Sequence, residues 1–309
     1  MKEYQFPVPP IFILLIGVIS ISFSSIFVKW SDAPASILGM YRLLFTVIVM
    51  LPFLPWKKIK TGAINIQWKD WIQLFLSGIF LGFHFLFWMD SLRYTTVASS
   101  MIITTLEPVF VMIGAYFIFK ERTNLIGIVS IIIAVSGSII IAWGDINLST
   151  KALYGDFLSL AGTLAVAIHM LFGQVLCKKI PTSIYSFCVF FIGGFVLLIY
   201  NLSYEIPLIH YSVHDWGIFV LLALVPNIFG HALFNWLLKY LDATTISMSI
   251  LGEPIGAIIL AYLFLGEATS ISQMIGGALS LIGVSMFLKN KGLSNKELTA
   301  NASVKSANT

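Results

Sequence analysis

Glu107 lies in "TTLEPVFVM" and Glu253 in "LGEPIGAII", each followed directly by proline and each inside an otherwise apolar run. An ionised carboxylate at the centre of a bilayer costs roughly 2.5–3.5 kcal/mol on insertion scales, and intramembrane ionisable groups usually face a cavity inside the protein. A carboxyl held there can load a proton from one side and release it when a cationic or zwitterionic substrate arrives. That exchange is the minimal chemistry of proton antiport. The bland alternative is that each glutamate stays protonated and only ties helices together. Pro108 and Pro254 each remove one backbone donor and free the carbonyl four residues earlier, at Thr104 and Ile250, so a kink or a wet pocket is expected beside each glutamate.

Further polar residues fall at helical spacing, where positions three and four apart share a face. Gln73, Ser77, His84, Trp88 and Ser91 share one side of an apolar run, and Asn227, His231 and Asn235 recur at intervals of four after Pro226. The two histidines could relay protons, since an unperturbed imidazole titrates near pH 6.5, or they could be ordinary interhelical contacts. Arg42 is the one cation well inside an apolar run. It could pair with Glu107, attract a substrate carboxylate, or snorkel outward. Ser20 and Ser24, Thr104 with Glu107, and Ser249 with Glu253 sit about one turn apart, and such hydroxyls either meet substrate or bond the backbone four residues back. Tyr41, Trp88, Tyr116 and Tyr262 offer amphipathic faces to a cavity or to lipid. The candidate substrate-binding or coupling set is thus Glu107, Glu253, His84, Trp88, His231, Asn235, Asn227, Arg42, Tyr41 and Ser24. The sequence lacks H-E-x-x-H, G-x-S-x-G, an Asp-rich metal motif and a Walker A loop, so no catalytic residue, metal ligand or cofactor is expected.

The elements that must hold these residues are membrane helices. The 309 residues are 58% hydrophobic and 10% charged, with mean hydropathy +0.94, far from a soluble domain. Ten apolar runs stand at roughly 11–29, 36–54, 70–90, 96–119, 124–143, 154–176, 183–200, 216–238, 243–265 and 270–288. Their lengths match an α-helix crossing about 30 Å of hydrocarbon, whereas barrel strands would be half as long. The first run has no A-x-A type cleavage site and reads as a retained helix. With the N-terminus inside, fourteen of the eighteen lysines and arginines fall on cytoplasmic segments, which places both termini in the cytoplasm. The positive charge therefore reflects topology in the cell membrane rather than nucleic-acid binding. The partners expected are the lipid bilayer and a small-molecule substrate. Cys177 and Cys188 read as packing residues, and the polar tail 290–309 as a disordered cytoplasmic segment.

The chain also repeats itself. An offset of 146 superposes Tyr94 on Tyr240, Glu107-Pro108 on Glu253-Pro254, Ala115-Tyr116 on Ala261-Tyr262, Glu121 on Glu267 and Gly137 on Gly283; one further residue brings Pro34 onto Pro181 and His84 onto His231. The expected fold is all-α and integral to the membrane: ten transmembrane helices in two five-helix repeats, 1–148 and 149–289. Five is odd, so the repeats are inverted about an axis in the membrane plane, which suits alternating access. Both glutamates then fall near the midplane, where such carriers bind substrate and coupling ions. Glu121 and Glu267 lie at helix ends and read as structural. Gly252-x-x-x-Gly256 and Gly276-x-x-x-Ser280 let helices approach closely, either within the chain or at the seam of a homodimer.

With "LRYTTVASSMIITTLEPVFVMIGAYFIFKER" at Leu92–Arg122 and "YLDATTISMSILGEPIGAIILAYLFLGEATSISQMIGGALSLIGV" at Tyr240–Val284, the sequence resembles the EamA-type ten-helix carriers of the drug/metabolite transporter superfamily. The resemblance spans about residues 10–289. It implies secondary transport, often export, of amino acids, related metabolites or amphipathic compounds without ATP, and names no substrate. Proton-coupled antiport through Glu107 and Glu253 is the mechanism expected. A uniporter or uptake carrier with structural glutamates is the alternative, and a membrane-embedded enzyme a more distant one.

Overall fold

Proline and left-handed residues punctuate the apolar runs, and helices start and stop where they stand. The computed structural model describes residues 10–57, 67–120, 124–146, 149–283, 285–287 and 289–290. Lys2, Lys58, Lys60, Glu121, Arg122, Lys291, Lys296, Lys305 and the tail from 291 onward lie outside the described residues. The first apolar run forms α1 (Pro10–Ser22) and α2 (Ser24–Trp30), followed by α3 (Ala35–Met50) and α4 (Trp68–Ser91). Then come α5 (Val97–Thr104), α6 (Glu107–Phe119), α7 (Leu125–Ile146), α8 (Thr150–Lys179), α9 (Thr182–Ser203) and α10 (Val213–Leu222). The last part holds a π-helical segment (Ala223–Ala232), α11 (Leu233–Leu237), α12 (Ala243–Ser249), α13 (Glu253–Leu265) and a final apolar helix, α14 (Ile271–Phe287). Among the described residues there is no strand.

Seven segments are long and apolar enough to cross a membrane: Phe12–Trp30, Ala35–Phe53, Trp68–Ser91, Val97–Phe119, Thr150–Lys179, Thr182–Ser203 and Val213–Leu237. Three shorter apolar helices, Leu125–Gly137, Glu253–Leu265 and Ile271–Phe287, stand at the other expected runs. Outward-facing Phe195, Ile199, Tyr116, Ile259 and Tyr262 are exposed, as they must be on a surface that meets lipid tails.

Local chemistry sets the helix starts. Pro34 and Pro181 precede α3 and α9 with φ of −53° and −55°, a conformation that proline imposes and that closes off any helix before it. Thr96 caps α5 by accepting a hydrogen bond from the Ser99 amide. Gln67 with Asp70, and Ser212 with Asp215, form reciprocal capping boxes at the starts of α4 and α10.

Two expected helices are not continuous. The run 96–119 breaks after Thr104 and restarts at Glu107, and the run 243–265 breaks after Ser249, passes through a 3-10 turn at Ile250–Gly252 and restarts at Glu253. Each proline occupies the first turn of the second half-helix, where its missing donor costs nothing. The eighth apolar run also departs from a uniform α-helix. From Ala223 to Ala232 it widens into a π-helix around Pro226, which changes the angular spacing of Asn227 and His231 from that of an α-helix.

Lipid tails offer no hydrophobic drive for helix association, so close packing through small residues must hold the bundle. A Cβ on Gly137 would collide with the Gly276 carbonyl and the Ser280 hydroxyl, and one on Gly283 would meet the Ser130 carbonyl and the Ala134 backbone. Ser280 Oγ also donates to the Ala134 carbonyl at 3.1 Å. Gly256 presses on Ser22 in the same manner. Both small-x-x-x-small patterns are therefore used inside the chain.

Candidate functional site

One narrow cavity, of about 50 Å³, gathers most of the expected residues. Ser24 from α2, Arg42 from α3, His84 and Trp88 from α4, Glu107 from α6, His231 from the π segment, Asn235 from α11 and Glu253 from α13 all line it. Met101, Met170, Phe85 and Phe234 supply apolar wall, and Thr104, Thr105 and Ser247 supply hydroxyls. Thr104 and Thr105 spend those hydroxyls on the carbonyls of Met101 and Ile102, each at 2.6 Å. Such back-bonding satisfies the side chain locally.

The helix breaks explain how two carboxylates reach one space. α6 and α13 begin at Glu107 and Glu253, so each carboxyl side chain stands where the backbone pattern changes. Glu107 is 7% exposed, and its Oε1 atom is buried with no hydrogen-bond partner. A carboxyl serving as interhelical glue would use that atom. Glu253 is only half-buried, and the Ser22 hydroxyl, 3.3 Å from its backbone carbonyl, fastens the start of α13 to α1.

Arg42 is fully buried. Its Nε donates to Asn227 Oδ1 at 2.6 Å, its Nη1 donates to Ser24 Oγ at 2.7 Å, and its guanidinium carbon lies 4.1 Å from the centre of the Phe85 ring. Asn227 in turn donates to Thr46 Oγ1 at 3.1 Å. Asn227 therefore acts one layer behind the cavity, orienting Arg42. Of the alternatives open for Arg42, pairing with Glu107 is not found among the described residues, where Asn227 and Ser24 hold the guanidinium, and burial excludes snorkelling.

His84 donates from Nδ1 to the Gly162 carbonyl at 2.9 Å, which fixes its tautomer and leaves Nε2 as an acceptor while the ring is neutral. The His84 and His231 ring centres stand 6.3 Å apart. Asn235 donates to Ser186 at 3.2 Å. Tyr41 is not among the residues that line this cavity. Its hydroxyl donates to the Leu208 carbonyl at 2.7 Å and its ring stacks on Phe219, on the far side of α3. Tyr116 and Tyr262 also face away. Glu267 acts structurally, as expected: it lies 3.5 Å from Lys29 and accepts the Val97 amide, tying the end of α2 to the start of α5.

Periodicity missed His169. It lines the cavity from α8, with Nδ1 2.9 Å from Ser77 Oγ, which in turn lies 2.8 Å from the Tyr185 hydroxyl. His169 stands six residues after Thr163 and five before Gln174, off the spacing of one helical face, so no stripe included it. The usable signal was the bare presence of an ionisable side chain in an apolar run.

The family model for the EamA-like transporter family matches this chain twice, at residues 8–143 and 153–289. The chain belongs to the EamA-like transporter family. Curated relatives of this EamA-like chain bear the description "uncharacterized transporter". One from Archaeoglobus fulgidus is 25% identical over 74% of this chain and 81% of its own length. One from Clostridium kluyveri is 27% identical over 85% and 87%, and one from Bacillus subtilis 26% over 74% and 73%. A solved crystal structure shares the fold with a TM-score of 0.66 at 15% identity, covering 90% of this chain and 96% of that one. The EamA-like assignment and the apolar helices together make this a multi-pass membrane protein of transport function.

Proposed function

We propose that the protein is a secondary carrier of ten membrane helices in two inverted five-helix repeats, lying in the cytoplasmic membrane with both termini inside. In this reading it exports amino acids or related small metabolites by alternating access, and Glu107 and Glu253 exchange protons for substrate. The observation that carries it is the pair of broken helices, each delivering a first-turn glutamate to one central cavity. Discontinuous helices at a repeat interface are the usual way carriers build a midplane site.

Reciprocal packing supports the repeat. Gly137 rests on Gly276 and Ser280 while Gly283 rests on Ser130 and Ala134, so one offset relates both contacts, as a two-fold relation requires. A protonated glutamate accepts a cationic or zwitterionic substrate by giving up its proton to the open side. The loaded cavity then closes as one repeat rocks against the other, and re-protonation from the far side expels the substrate.

Counterflow in proteoliposomes tests the carrier reading. Vesicles preloaded with individual amino acids should accumulate the same labelled compound with saturable kinetics, and trans substrate should accelerate entry. Unsaturable flux unaffected by trans substrate would overturn it.

A further inference from the structure

Arg42 carries more binding capacity than its surroundings use. Its Nη2 atom is buried and has no hydrogen-bond partner, while Nε and Nη1 are held by Asn227 and Ser24 and one face of the guanidinium is covered by Phe85. Arg42 is one of the side chains that line the cavity. A guanidinium is always charged and presents donors in a rigid fork that matches a carboxylate. Three contacts fix its orientation and leave the last edge idle.

The molecule supplies no counter-ion at that edge. Among the described residues no ion pair joins Arg42 to an acidic group. Glu253 is near enough to act on Arg42 electrostatically but not to bond it. Burying a charge without a partner is costly, so a ligand that brings the opposite charge is favoured there. Trp88, Met101 and Phe234 line the same cavity and offer it apolar surface.

We infer that Arg42 is a carboxylate-binding subsite: the ligand docks a carboxylate on Nη2 and lays an apolar body against Trp88, Met101 and Phe234. Ser24 and Asn227 are positioning residues that hold the guanidinium for it. The inference rests on the carrier reading only in calling the bound acid the transported one. Specificity follows from the chemistry: a neutral amide of the same shape leaves the charge uncompensated, and an amine meets like charge.

The test uses three matched probes, 3-phenylpropionate, its amide 3-phenylpropanamide, and 2-phenylethylamine, in equilibrium dialysis against the purified full-length protein. The carboxylate is expected to bind at least tenfold tighter than the amide, and any binding of the amine, which the glutamates can receive, should not depend on Arg42. Arg42→Gln should weaken the carboxylate at least tenfold and leave the amide unchanged, with Arg42→Lys between, provided melting shows each variant folded. If the variants do not fold, the wild-type order decides alone. Equal binding of the amide, failure of the carboxylate to saturate the wild type, or unchanged carboxylate affinity in folded Arg42→Gln would overturn the subsite. Counterflow on the same preparations separates the two claims. Arg42-dependent binding without counterflow sinks the carrier and keeps the subsite, whereas counterflow indifferent to the carboxylate does the reverse.

Discussion

The segments α5–α6 and α12–α13 use one backbone plan in two surroundings. Each is a pair of half-helices broken just before Glu-Pro, and each closes on a left-handed residue, Lys120 at φ 60° in the first and Gly266 at φ 67° in the second. The side chains differ more than the backbones. Glu107 is buried with Oε1 unpartnered, while Glu253 is half-buried with the Arg42 charge in range. The difference teaches that a duplicated break can be kept for geometry while the two carboxylates take separate duties: Glu107 without a resident partner, Glu253 beside the cation that the ligand would also use.

Substitutions that treat the halves alike or unalike put this comparison under strain. The largest effect should come from the helix contact, where the halves are equivalent. Gly137→Val and Gly283→Val each drive a side chain into opposing backbone, and overpacking of this kind costs about 1–3 kcal/mol or more. Melting in detergent should fall by similar amounts for both, and a fall in only one would break the equivalence. Next come the glutamates, where the halves should part. Glu107→Met removes a buried unpartnered polar atom, whose burial costs about 1–3 kcal/mol, and should raise the melting temperature. Glu253→Met, at a half-buried position, should change it less. A lowered melting temperature for Glu107→Met would mark that glutamate as interhelical glue. Smallest are the helix ends. Lys120→Gly should stabilise by up to about 1 kcal/mol by relieving left-handed strain, and Gly266→Ala should destabilise by roughly 1–2 kcal/mol by introducing it. Equal and same-signed shifts in thermal melts would contradict the matching caps.

Much of this was legible before any coordinates. Apolar run length marked the helices, and the doubled Glu-Pro marked the cavity, because a carboxyl in hydrocarbon has few other uses. A kink beside each glutamate was expected from Pro108 and Pro254, but the restart of a separate half-helix at Glu107 was not, since Thr105 and Leu106 continue a helical pattern. Pro226 announced a disturbance, yet nothing in its neighbours foretold ten residues of π-helix. Tyr41 could have been set aside from the sequence. Adjacent residues on an α-helix point roughly 100° apart, so with Arg42 facing inward Tyr41 faces elsewhere. His169 escaped because a lone polar residue has no period.

The coupling role of the two breaks is tested most directly by proton movement. Proteoliposomes loaded with a pH-sensitive dye and energised by a substrate gradient should show substrate-dependent proton flux in the wild type. Glu107→Gln should abolish that flux, and Glu253→Gln should reduce both flux and substrate exchange, with both proteins folded. Substrate exchange without proton movement in the wild type, matched by both variants, would contradict the coupling role and leave Glu107 and Glu253 as parts of the scaffold.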